Sequence, residues 1–159
     1  MLISEMLSQG FGRNHWLIHQ QTKGLTHADS LLQLPFRGNC MNWILGHVLV
    51  SRDEILEMLG EQTLMSEAAR ALYRRESDPL RDTESAIKLD QLLESLDESQ
   101  DRLKAALKRA TSEELEISLP DHDDQTLEEY IEFLAFHETY HIGQLEILRQ
   151  LAGADDKII

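Results

Sequence analysis

The sequence predicts an all-α protein, a four-helix bundle with short extra helical turns in its connections. Three observations predict it. Apolar residues recur at helical spacing through most of the 159 residues. No stretch shows the strict alternation of a half-buried strand. Capping and breaking residues divide the chain into four long helical segments and two shorter ones. Helices of this kind bury their apolar stripes against one another, and bundles build sites from side chains on facing helices. The length suits one domain with a sizeable core, so residues 1–159 are expected as a single domain without internal repeat.

The first helix is expected from about Ile3 to Lys23, with Met6, Trp16 and Leu17 along it and Gly10 and Gly12 weakening its early turns. Thr26 and Asp29 form a capping box that opens a short turn through Leu32. Pro35 and Gly38 break the chain before the second main helix, about Asn39 to Leu59, which Gly60 closes. Ser66 to Arg75 is a shorter piece ended by Ser77-Asp78-Pro79. The third main helix is expected from about Thr83 to Ala110, its apolar side carried by Ile87, Leu89, Leu92, Leu96, Leu103 and Leu107. Ser118 to Asp124 reads as a loop. Thr126 with Glu129 forms a further capping box, and the fourth helix runs to Leu151, stopped by Gly153.

Composition excludes several classes of function. Hydrophobic residues make up 42% and charged residues 28%, ordinary for a globular chain. The net charge of −14 repels nucleic acid and anionic lipid alike, so neither is expected as a partner. A single cysteine, Cys40, rules out an internal disulfide and fits a reducing compartment. No apolar run approaches a bilayer span, and Met1-Leu2-Ile3-Ser4-Glu5 lacks the basic start of a secretory signal. A cytoplasmic location is expected.

The chemistry concentrates in Phe136-His137-Glu138-Thr139-Tyr140-His141-Ile142-Gly143-Gln144. Histidines four apart on a helix lie one above the other, so their imidazoles can grip one ion from one side. His137 and His141 share a face with Tyr130, Phe133, Leu134, Gln144 and Leu148, which reads as mostly the core side. His47 sits in a second apolar helix, within Asn42-Trp43-Ile44-Leu45-Gly46-His47. If the two helices pack, three neutral nitrogens converge and leave coordination positions open. The alternative for each histidine is a hydrogen-bonded core or surface residue, because a buried ring nitrogen left unpaired costs about 1–3 kcal/mol.

The pentamer also matches H-E-x-x-H, the zinc-protease pattern in which the glutamate acts on water. Gly143 falls too early for the extended protease motif, and no strands offer a substrate cleft. Glu138 is kept as a candidate general base, against the alternative of a solvated surface glutamate. His15 and His19 form a rival pair in a more polar setting, read first as surface or lining residues. His27 and His122 fall in polar turns and read as solvated; Cys40 reads as a small structural residue. Helical spacing makes Ser51, Glu54 and Gln144 lining candidates.

Asn42-Trp43-Ile44-Leu45-Gly46-His47, His137-Glu138-Thr139-Tyr140-His141-Ile142-Gly143-Gln144 and the ending Leu148-Arg149-Gln150-Leu151-Ala152-Gly153 together resemble the DinB/YfiT-like superfamily of small metal-binding four-helix bundles. The resemblance spans nearly the whole chain. It implies a divalent metal ion, commonly nickel or zinc, held by His47, His137 and His141. It implies a small-molecule substrate, and it implies a homodimer. It also implies a metal-dependent hydrolase or a thiol-dependent transferase, the latter with a low-molecular-weight thiol, since relatives include bacillithiol transferases and a mycothiol-dependent isomerase. The alternative is a non-catalytic metal- or ligand-binding bundle. Three imidazoles suit a borderline divalent ion, and such an ion acidifies water or a thiol to give a nucleophile.

Overall fold

The computed structural model describes residues 3–81 and 84–159. Four long helices make the bundle: α1 (Ile3–Thr22), α3 (Met41–Met58), α5 (Leu89–Arg109) and α7 (Leu127–Leu151). Short helices α2 (His27–Ser30), α4 (Glu67–Tyr73) and α6 (Ser112–Leu115) lie in the connections. Helices α1 and α3 each pack against both α5 and α7, so the order around the bundle is α1, α5, α3, α7. Cross-helix contacts fix the directions. Asn42 bonds the Ile87 carbonyl and Arg52 the Leu96 carbonyl, so α3 and α5 run parallel. Arg52 meets Glu138 and Glu54 meets Tyr130, so α3 and α7 run antiparallel. Asn14 meets Thr139 and Arg149 meets the Gln21 carbonyl, so α1 and α7 run parallel.

Most element bounds agree with the sequence reading, and the differences have local causes. α1 is continuous through Gly10 and Gly12 because Leu7, Phe11, Asn14 and Ile18 are buried along one stripe, and packing outweighs propensity. Thr26, Thr111 and Thr126 each close a full capping box, with Asp29, Glu114 and Glu129 respectively. α5 begins at Leu89, later than expected; Thr83, the expected start, lies outside the described residues. Ile87 precedes the helix and still packs against the core. Residues expected as plain loop form a small antiparallel pair, β1 (Ser118–Leu119) with β2 (Gln125–Thr126). A 3-10 turn at Pro120–His122 and left-handed Asp123 and Asp124 close it. Short polar side chains tolerate that conformation, which is why the turn carries aspartates rather than glycine.

The core runs the length of the bundle in two clusters. One joins Trp43, Ile44, Val48, Tyr73, Leu92, Leu96, Ile142 and Leu145. The other joins Phe11, Ile55, Leu56, Leu103, Leu107, Leu127, Ile131 and Leu134. Between them lies a buried ion pair: Arg52, 0% exposed, grips Glu138, 1% exposed, through Nε–Oε2 and Nη2–Oε1 contacts of 2.8 Å each. Arg52 Nη1 also donates to the Leu96 carbonyl and to Ser99 Oγ, so four of its five donors are engaged. No helix among the described residues is long and apolar enough to cross a membrane.

Candidate metal centre

The antiparallel crossing of α3 and α7 brings His47, His137 and His141 to one point on their shared seam. His141 Nε2 stands 3.0 Å from His137 Nε2, and His47 Nε2 stands 3.4 Å from the same atom. Donors about 2.0–2.1 Å from one ion, at tetrahedral or octahedral angles, stand about 3.0–3.4 Å apart. The observed separations match that spacing. The three side chains form a cluster that could hold a metal ion.

Two of the rings are oriented by hydrogen bonds on their far nitrogens. His47 Nδ1 donates to the Tyr73 carbonyl at 2.8 Å, which leaves Nε2 as a lone pair in the neutral ring. His141 Nδ1 donates to Gln144 Oε1 at 2.9 Å, with the same result. Both lone pairs therefore face His137 Nε2, whose single proton could serve only one of them. Converging acceptors without a shared donor repel, and a cation removes the conflict. Burial lowers the pKa of all three: His137 falls to about 4, chiefly by desolvation and then by its histidine neighbours, and His47 and His141 fall by desolvation. The rings are neutral at pH 7, the form that binds metal.

Residues around the cluster explain the helix-two motif. Trp43 stacks on the His47 ring, centroids 4.7 Å apart and planes 16° apart. A Cβ on Gly46 would fall 2.2 Å from the Tyr73 ring, so only glycine admits Tyr73 at this place. Tyr73 is fixed in turn, its hydroxyl donating to Asn42 Oδ1 and accepting from the Ile87 amide. Tyr73 and Arg52 are the residues sequence reasoning missed. Tyr73 contributes a backbone atom, which no side-chain pattern reveals, and Arg52 gave no sign of its partner.

Several expectations are corrected. Glu138 is not a solvated surface residue: it is buried, and Arg52 holds both its carboxylate oxygens. The face that His137 and His141 share is only partly core: Leu134 and Leu148 are buried, Tyr130, Gln144 and the two histidines are half-buried, and Phe133 is exposed. His137 and His141 therefore stand at the edge of the core, and His47 is buried behind them. Of the lining candidates, Gln144 meets His141, whereas Ser51 bonds back to the His47 carbonyl and Glu54 accepts from Tyr130. His27 is not simply solvated, since its Nδ1 accepts from the Leu89 amide at the start of α5. His122 packs its ring on Tyr130. Cys40 is buried, which pushes its thiol pKa up and makes it inert.

Beside His141 lies a cleft of about 210 Å³ lined by Leu34, Phe36, Arg37, Ile44, Gln144 and Ile147. The fold and the convergent imidazoles define a helical-bundle protein with a histidine-rich candidate metal centre. The chain belongs to the DinB superfamily, whose sequence model matches residues 19–145. Among solved structures, it is similar to the crystal structure of a conserved protein from Enterococcus faecalis. The two share 17% identity and a TM-score of 0.74, covering 96% of this chain and 98% of that one. At that identity the likeness concerns the fold. No curated protein sequence matches the chain.

Proposed function

We propose that His47, His137 and His141 hold a divalent metal ion, nickel or zinc, and that the protein is a metal-dependent enzyme acting on a small molecule. The observation that carries this reading is the pair of imidazole lone pairs, each fixed by a bond on its far nitrogen, aimed at a third imidazole. When bound, such an ion supplies Lewis acidity and acidifies a water or thiol near neutral pH. Hydrolysis and transfer of a low-molecular-weight thiol both use that chemistry.

The chain's own residues do the positioning. Tyr73 and Gln144 orient two of the rings, and Trp43 walls one side of His47. Leu34, Phe36 and Ile147 offer apolar contact in the adjoining cleft, and Arg37 offers a cation to an anionic group on the substrate. We assign Glu138 to holding α7 against α3 through Arg52, not to proton transfer, because both of its oxygens are engaged. A homodimer completes the proposal.

The test is metal content of tag-free protein by elemental analysis, followed by turnover across ester, amide and thiol-conjugation panels. Loss of about one equivalent of metal relative to wild type in His47→Ala and in His137→Ala, together with metal-dependent turnover of the wild type, is expected. Metal unchanged in both variants would sink the proposal. Stoichiometric metal without turnover would instead favour a non-catalytic binding bundle.

A further inference from the structure

A second cluster of metal-ligating side chains lies on the opposite seam of the bundle. His15 and His19 are four residues apart on α1 and project together towards α5. Asp97 of α5 meets both: its Oδ1 is 3.1 Å from His15 Nε2 and 2.6 Å from His19 Nε2. The two rings stand edge to face, 4.8 Å between centroids. The three donors lie close enough together to be drawn onto one ion: the 3.1 Å separation is that of neighbouring ligands, and the shorter His19–Asp97 contact is a hydrogen bond that a bound ion would replace.

The cluster is accessible on one side and anchored on the other. Asp97 is 53% exposed and His19 39%, whereas His15 is only 20% exposed. An ion can therefore enter from solvent while the inner imidazole is held by the core. Among the described residues nothing bonds the buried His15 Nδ1, and Nε2 is the ring nitrogen turned to the Asp97 carboxylate, the atom that an ion bound there would take in place of a proton. Desolvation first, then Arg52 and His19, hold the His15 pKa below its ordinary value and favour the neutral, ligating form. The anchoring is shared with the first centre: Arg52 bonds the carbonyl of Leu96, next to Asp97, and the carboxylate of Glu138, next to His137.

We propose that His15, His19 and Asp97 form a second divalent-cation site, separate from the three-histidine centre. Two imidazoles and one carboxylate select a borderline first-row ion such as zinc or ferrous iron over calcium or magnesium, which favour all-oxygen donors. Three protein ligands leave positions for water or a further ligand. The ion would bridge α1 to α5, as the first would bridge α3 to α7.

The site is tested by calorimetric titration of zinc into tag-free, chelator-treated full-length protein and into variants at each centre. Asp97→Asn keeps the shape of an exposed residue, and His19→Ala provides an independent second variant; circular dichroism checks that each stays helical. The proposal expects a zinc-binding step that weakens at least about tenfold in both variants, a loss on the scale of disturbing even an outer partner of a metal site. That step survives His137→Ala. Zinc uptake that is unaltered by Asp97→Asn and His19→Ala overturns the proposal, whatever His137→Ala does. Loss of a step in His137→Ala alone bears only on the three-histidine centre, so the two readings fail separately.

Discussion

Gly46 shows at the scale of one residue why His47 can point where it does. The missing side chain makes room for Tyr73, and the Tyr73 carbonyl then fixes the His47 tautomer. Gly46→Ala forces a methyl group into an aromatic ring that has two hydrogen bonds of its own. Thermal melts should show destabilisation of about 1–3 kcal/mol, and zinc affinity should fall with it. The histidines also set a pH dependence. Their folded pKa values are lowered, His137 to about 4 from an ordinary 6.5, so between those values the unfolded chain binds more protons than the native one. Their contribution to the stability of metal-free protein is therefore fully present above about pH 6.5 and lost as pH falls towards 4. Melts of chelator-treated protein across that range should show the decline, and His137→Gln should flatten it. The His137–His141 pair was legible in sequence because histidine spacing on a helix reports which rings share a face, whereas His47, far away in sequence, joined them through the family resemblance. Tyr73 and Gly46 were not, since their roles depend on a backbone carbonyl and on an empty volume, neither of which leaves a periodic trace.

Between elements, the Arg52–Glu138 pair ties α3 to α7 beside the histidine cluster, and it is expected to fix the register in which the histidines meet. Removing one partner leaves a charge stranded in the core, which costs about 3–5 kcal/mol. Arg52→Ala is therefore expected to lower the melting temperature sharply and to weaken zinc binding, although it touches no candidate ligand. A double change, Arg52→Met with Glu138→Leu, removes both charges and should recover most of the stability in urea melts. If the recovered double variant also binds zinc as tightly as wild type, the pair serves only burial and not register. The long helices were legible from periodicity, and the Thr126 cap marked the start of α7 as the Thr26 cap marked that of short α2. The late start of α5 was missed because Ile87 continues the apolar pattern while sitting in the preceding turn. The small strand pair was missed because two residues per strand cannot display alternation. Glu138 was misread for a related reason: a carboxylate's burial is decided by an arginine on another helix, far away in sequence.

Across the whole molecule, apolar surface and charge oppose each other. Trp16 on α1 and Phe136, Tyr140 and Ile147 on α7 are exposed large side chains on helices that run parallel and share a seam. Phe136 and Tyr140 are one turn apart on α7, and with Ile147 two turns further on they form an outward stripe, Phe136 being 67% exposed. Such a contiguous face suits the self-complementary contact of a two-fold dimer. Bringing two chains of net charge −14 together carries long-range repulsion that salt screens within about 10 Å at 0.1 M. The proposed homodimer should therefore tighten as ionic strength rises, the reverse of an interface held by ion pairs. Light scattering at micromolar concentration should give twice the 18.3 kDa chain mass, with dissociation favoured at low salt. Phe136→Glu places two carboxylates near the two-fold axis without disturbing the core, so it should yield a monomer that remains helical and still binds zinc at His47 and His141. A dimer that survives Phe136→Glu and loosens with added salt would place the contact elsewhere on the surface and give it an electrostatic origin.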